Sequence, residues 1–267
     1  MQAILGRADL AADLRAMGIA PGDGLFVHTS LSKVGAVIGG PRGLIEALID
    51  AVGEDGLIAM PGFSRDAYDP VAPGGVAASP DDHQRIRDQV PGFDPALSNV
   101  AQNGAVPEAF RSWPGVVRSP HPTSSVLMFG PDAALLATPH DAQGWAIGVE
   151  TPWGRLRARP RMKILLIGVR WNRCSALHCA ETLARHRRVV TRRFRHEGAW
   201  IEAPDAADDL DTLFPLVGQA WEDAGGAAYG RLGGADCILT GYGQLVAFAA
   251  DWLSKRNRAD GVPAADG

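Results

Sequence analysis

The residues best suited to acid–base chemistry lie in one stretch, Asn172-Arg-Cys-Ser-Ala-Leu-His-Cys-Ala-Glu181. His178 and Glu181 are three positions apart, so on a helix the imidazole and the carboxylate share a face. A neutral imidazole can accept a proton near neutral pH. A carboxylate beside it can orient the ring or bind a cationic substrate. Cys174 and Cys179 flank the histidine, so a thiol nucleophile or a metal site are also readings of the stretch. Against a metal, no second Cys/His pair has ligand spacing and Cys237 stands alone. Against a nucleophile, no cysteine sits in a recognised nucleophile motif. The bland reading is an exposed helix start carrying an ordinary His and Glu.

Two elements must position this stretch. Lys163-Ile-Leu-Leu-Ile-Gly-Val169 is a short aliphatic run ending at a glycine, the pattern of a buried strand. Ser175 is placed to cap the helix that follows, and Ala176, Leu177, Ala180 and Leu183 can carry it onward. His178 then falls in the first turn, where the aligned peptide dipoles favour the uncharged imidazole. Glu202 or a carboxylate within Asp205 to Asp211 could also support it.

Earlier in the chain, a helix over residues 8–17 is followed by a strand at Leu25–His28. A small-residue loop from Thr29 to Gly40, a helix from Pro41 to Val52 and a strand at Leu57–Pro61 complete a strand–loop–helix–strand unit. Such a unit implies parallel pairing with a right-handed crossover. Ligands of open α/β sheets sit beyond the carboxyl ends of the strands, where the Thr29–Gly40 loop lies. Further strand and helix signals occur at 126–129, 131–136, 213–224 and 241–254. The expected fold is α/β, a central mixed sheet flanked by helices, in a single compact domain over residues 1–254. Residues 255–267 read as a polar tail, expected to be disordered.

Periodicity fails from Gly62 to Val100, which reads as a long irregular substrate flap. Asp66, Asp69 and Asp94 could face a cationic substrate there, and Tyr68 could stack on it. The net charge of −4 argues against nucleic acid as main partner. The basic runs Arg185–Arg188 and Arg192–Arg195 follow a helix end, where cations are favoured anyway. No apolar run approaches membrane-spanning length, and the N-terminus lacks a signal-peptide pattern. With only three cysteines, the expectation is a cytoplasmic protein with reduced thiols.

Three stretches resemble the aminoglycoside 3-N-acetyltransferase family. Ser175-Ala-Leu-His-Cys-Ala-Glu181 is similar to its signature segment. His28-Thr-Ser-Leu-Ser32 with Gly39-Gly-Pro-Arg-Gly43 is similar to its coenzyme loop, and Arg118-Ser-Pro-His-Pro122 to a third block. Phe93-Asp-Pro95 also resembles a family motif, but the chain continues with Leu97-Ser-Asn99 where the family has Thr-Pro. The resemblance implies acetyl-CoA as cosubstrate, no metal, and direct transfer to the 3-amino group of a 2-deoxystreptamine antibiotic. It implies His178 as general base, assisted by Glu181. It places coenzyme on Thr29, Ser30, Leu31, Ser32, Lys33, Val34 and Gly35, with a contact at Ser124. Arg118 and His121 are expected to be structural. A homodimer is compatible with the family. Alternatives are a cysteine-dependent amide or thioester hydrolase, an acyltransferase of this fold acting on a non-antibiotic amine, and a non-catalytic drug- or CoA-binding protein.

Overall fold

Aliphatic runs without alternation need burial on both faces. Three such runs form the centre of the sheet in the computed structural model, which describes residues 4–71, 78–206 and 212–265. The chain begins β1 (Ile4–Leu5), α1 (Arg7–Ala16), β2 (Gly24–Thr29), α2 (Leu31–Val34), β3 (Ala36–Val37), α3 (Pro41–Val52) and β4 (Leu57–Pro61). Next come α4 (Pro80–Asp88), α5 (Ala105–Arg111), β5 (Val117–Arg118), β6 (Val126–Phe129), α6 (Ala133–Ala137) and α7 (Pro152–Ala158). It continues with β7 (Met162–Ile167), α8 (Ala176–Leu183), β8 (Val189–His196) and β9 (Ala199–Ala206). Last are α9 (Leu213–Asp223), β10 (Ala228–Leu232), β11 (Ala235–Gly241) and α10 (Tyr242–Ala259).

The main sheet has seven strands in the order β10-β11-β7-β2-β4-β6-β5. β7, β2 and β4 are parallel, and the strands outside them are antiparallel, so the sheet is mixed as expected. Alternation along the strands separates two cores. Leu25, Val27, Ile58, Leu165 and Ile167 face α1, α3 and α5. Phe26, Leu57, Ala59, Ile164 and Leu166 face α7, α8, α9 and α10. Among the described residues no helix is long and apolar enough to cross a membrane.

Two expectations need correction. The flap is not wholly irregular, because α4 occupies Pro80–Asp88. Its start carries Pro80, Asp81 and Asp82 and its end Arg85 and Arg87, which suits the helix dipole. No residue of α4 is buried, so it has no apolar period to read. The chain beyond Lys255 is not a loose tail either. α10 runs on to Ala259, and buried Asn257 donates to the His186 carbonyl at 2.8 Å. Ala265 N–H then donates to Arg185 C=O at 2.8 Å. Polar residues hold this end, so hydropathy does not reveal it; residues 266–267 lie outside the described chain.

The flap is tied down at both ends by Arg118. Its guanidinium donates to Gly62 C=O at 2.9 Å, to Ser98 C=O at 2.5 Å and to Ser125 Oγ at 2.9 Å, and stacks on Phe93. Burial lowers this group to about 10, so it stays cationic at neutral pH. Beside it, His121 Nδ1 accepts from the amides of Thr123 and Ser124, so this histidine shapes the turn into β6. His140 donates from Nε2 to Ala146 C=O, and its ring lies 4.6 Å from that of His121.

Arg118→Met should cost about 2–4 kcal/mol in urea unfolding, since it takes a charged donor from the buried carbonyls of Gly62 and Ser98 and from Ser125 Oγ. Lys should not restore the loss, because a single ammonium cannot match the guanidinium fork. The buried histidines add a pH dependence. Burial lowers His140 to about 4 and His121 well below its ordinary value. Below about pH 6.5 the unfolded chain protonates these rings and the folded chain does not, so stability falls as pH falls. The expected slope is about 1.4 kcal/mol per pH unit per ring, ending for His140 near pH 4. Melting curves across this window check it, and His140→Gln should flatten the slope.

Candidate active site at the carboxyl ends of two parallel strands

β2 and β7 pair in register from Gly24 with Met162 to Thr29 with Ile167. The segments that follow them therefore leave the sheet side by side. Ser30 N–H donates to Ile167 C=O at 2.8 Å and locks the two exits together. Gly168 has φ +63°, and a Cβ there would lie 2.6 Å from Cβ of Lys33. Only a residue without a side chain permits this approach.

The second segment leads into α8. Ser175 is already helical, at φ −61° and ψ −17°, and its hydroxyl makes no capping bond. The expected cap is replaced by a long-range contact: Ser175 N–H donates to His28 Nε2 at 3.3 Å. His178 lies in the first turn, and its Nδ1 donates to Glu181 Oε2 at 2.7 Å. Both side chains are mostly buried, at 13% and 11% exposure. With the Nδ1 proton directed at the carboxylate, the basic lone pair of the neutral ring is on Nε2. Phe214 of α9 packs on the ring at 4.9 Å. A base oriented by a carboxylate is the arrangement that general-base chemistry needs.

Among the described residues, the carboxylate on His178 Nδ1 is that of Glu181, from the same helix. Glu202 lies 4.0 Å from Arg193 and Asp205 pairs with Arg192 at 2.7 Å, so both belong to the β8–β9 hairpin. The remaining acidic residues of that stretch, Asp208, Asp209 and Asp211, lie outside the described residues.

The coenzyme-loop candidates divide. Ser32 and Lys33 are exposed, and Thr29, Ser30, Leu31 and Gly35 half-buried. Val34 points into the core instead, and its carbonyl accepts from Gly234 N–H at 2.9 Å. The hydroxyl of Thr29 is buried with no hydrogen-bond partner among the described residues. Ser124 is buried in the turn held by His121, and its carbonyl accepts from Trp153 Nε1 at 3.1 Å.

The flap candidates divide as well. Asp69 is buried and paired with Arg87 at 3.0 Å and Arg193 at 3.5 Å. Burial pushes its carboxyl up, but Arg87, the Val71 amide and Arg193 together outweigh this and hold it below the usual range. Its charge holds the flap to the hairpin rather than facing a ligand. Asp94 is exposed, yet accepts from the amides of Ala96 and Leu97. Asp66 and Tyr68 are half-buried, and Tyr68 bridges to Phe194 of the hairpin.

The thiol reading fails on burial. Cys174 and Cys179 are fully enclosed, and burial pushes both thiols up to about 12. Neither can supply a thiolate near neutrality. A cavity of about 740 Å³ lined by Arg157, Arg159, Lys163 and Gly243 opens at the opposite end of β7, away from His178. Sequence reasoning missed His28 as a site residue, naming it only as the end of a strand and the first residue of the stretch that resembles the family's coenzyme loop. Its signal was a polar residue closing an otherwise apolar strand.

A profile of the aminoglycoside 3-N-acetyltransferase family matches residues 26–254. Aminoglycoside N(3)-acetyltransferase III of Pseudomonas aeruginosa is 34% identical over 260 residues, spanning 93% of each chain. The crystal structure of YokD from Bacillus subtilis matches with a TM-score of 0.90 at 30% identity, over 97% of this chain and 96% of that one. AAC-IIIb in its binary complex with CoASH matches with a TM-score of 0.83 at 28% identity, over 95% and 98%. The chain belongs to the aminoglycoside 3-N-acetyltransferase family.

Proposed function

We propose that this protein transfers the acetyl group of acetyl-CoA directly to the 3-amino group of a 2-deoxystreptamine aminoglycoside, with His178 as general base. The observation that carries the reading is the 2.7 Å bond from His178 Nδ1 to Glu181, beside the loop that leaves β2. The names of the relatives support the substrate class, and the CoASH complex of AAC-IIIb supports the donor.

The neutral amine attacks the thioester carbonyl and forms the C–N bond. His178 Nε2 takes the amine proton, and Glu181 stabilises the imidazolium. The oxyanion collapses, the C–S bond breaks, and the thiolate receives the proton from the imidazolium. Oxyanion donors must come from near the acyl group. The Ser30 amide is engaged by Ile167 and the Thr29 hydroxyl is enclosed, so the Leu31 amide is the better candidate. On the acceptor side, Asp66 and Asp94 remain candidates for substrate ammonium groups, and Asp69 is withdrawn into its arginine pairs.

The test is a thiol-release assay with acetyl-CoA and aminoglycosides differing at the deoxystreptamine ring. His178→Ala should keep its melting temperature and lose about 100-fold or more in turnover. Full activity of that variant at saturating substrate would sink the assignment. Glu181→Ala should lower turnover about 10- to 100-fold with a smaller change in KM, because it acts through the ring. Cysteine alkylation should leave turnover unchanged in folded protein.

A further inference from the structure

The strand that opens the coenzyme loop carries a second imidazole. Side chains of β2 alternate between faces, so His28 lies on the same face as Phe26, on the side of α8. Its ring is 5.2 Å from that of Phe26, and the residue is buried. The first amides of a helix have no acceptor within the helix. At α8 the Ser175 hydroxyl does not cap, and Ser175 N–H is instead received by His28 Nε2 at 3.3 Å. Ser175 in turn accepts His178 N–H at 3.1 Å. A continuous path of hydrogen bonds thus links the end of β2 to the backbone of His178.

An imidazole nitrogen accepts a hydrogen bond only when unprotonated, so His28 must be the Nδ1–H tautomer. Burial, reinforced by the charge of His178, lowers its pKa to about 3, in keeping with that role.

We propose that His28 is a positioning residue for the transfer: its Nε2 lone pair holds the Ser175 amide and sets the first turn of α8 against the coenzyme loop. The inference rests on the general-base reading of His178. The strand that carries the acyl-donor loop and the helix that carries the base are then joined through one side chain. A small displacement of a base from its near-attack position is costly, on the order of 100-fold for 1 Å.

Three variants decide it. His28→Leu removes the acceptor and keeps an apolar body, and His28→Gln can return an acceptor through its side-chain oxygen. His178→Ala is run beside them. His28→Leu should lose about 10- to 100-fold in turnover with both KM values held within about threefold. His28→Gln should regain most of the loss. Nitrogen-15 spectra of the wild-type rings should show His28 Nε2 unprotonated across the working pH range. Wild-type turnover in His28→Leu, equal losses in the Leu and Gln variants, or a protonated Nε2 would each overturn the proposal. Should His28→Leu not fold, His28→Asn, which is too short to reach the amide, takes its place against His28→Gln. If His178→Ala is inactive while His28→Leu is fully active, the base stands and the His28 role alone falls. If His178→Ala is itself fully active, the general-base reading falls first.

Discussion

The parallel pairing of β2 with β7 is the constraint on which the site depends. The loop after Thr29 and the helix that carries His178 come from opposite halves of the sequence. Six registered residue pairs bring them together. Both ends of the pairing are fastened. At the carboxyl end, Ser30 bonds to Ile167 and Gly168 lets the chains approach. At the amino end, buried Asp23 on the β2 side accepts from Arg161 at 3.0 Å and from Lys163 at 2.6 Å. Burial pushes the Asp23 carboxyl up, but Lys163 and Arg161 prevail and hold it below the usual range. The strand register is therefore set by charge at one end and by close backbone packing at the other.

What the sequence disclosed follows from where side-chain burial writes a pattern. The runs at Leu25, Leu57, Val126 and Ile164 became strands, and the helix expected over Pro41–Val52 has those bounds. Each strand was a continuous apolar run, and the helix carried an apolar period. Elements held by polar groups were unreadable. α4 buries nothing, the end of α10 docks through Asn257, and β10 is an edge strand with exposed Tyr229. The β8–β9 hairpin was also missed, its arginines being read as the solvated end of a helix. Its turn is Glu197-Gly198, both at positive φ, which suits a two-residue hairpin. At the site, the spacing of His178 and Glu181 foretold their contact, since both lie on one helix. The Ser175–His28 contact spans 147 residues and leaves no local trace.

The acidic flap and the basic hairpin, read separately as substrate wall and solvated surface, are partners. Arg193 and Arg87 share Asp69, Arg195 donates to Val90 C=O at 2.8 Å, and Arg195 N–H donates to Ala67 C=O at 2.7 Å. Phe194 fills a small core with Ala67, Ala142 and Ala203 beneath them. Carboxylates used in this way do not also serve a cationic ligand at full strength. A composition of acidic loop residues therefore overstates the charge available to a substrate, and pairing decides which carboxylates remain.

The two histidines at this end of the sheet are identical groups in different environments. His28 is enclosed beside Phe26 and spends its lone pair on a backbone amide, so its environment favours a permanently neutral ring. His178 instead has the Glu181 carboxylate on its Nδ1 at 2.7 Å. On the proposed mechanism the surroundings match the tasks: the ring beside a carboxylate is the one asked to take a proton, and the enclosed ring is the one asked to hold the Ser175 amide. The division needs both to be fixed to one frame, and α8, entered through Ser175 and seated on the sheet face of Phe26, is that frame.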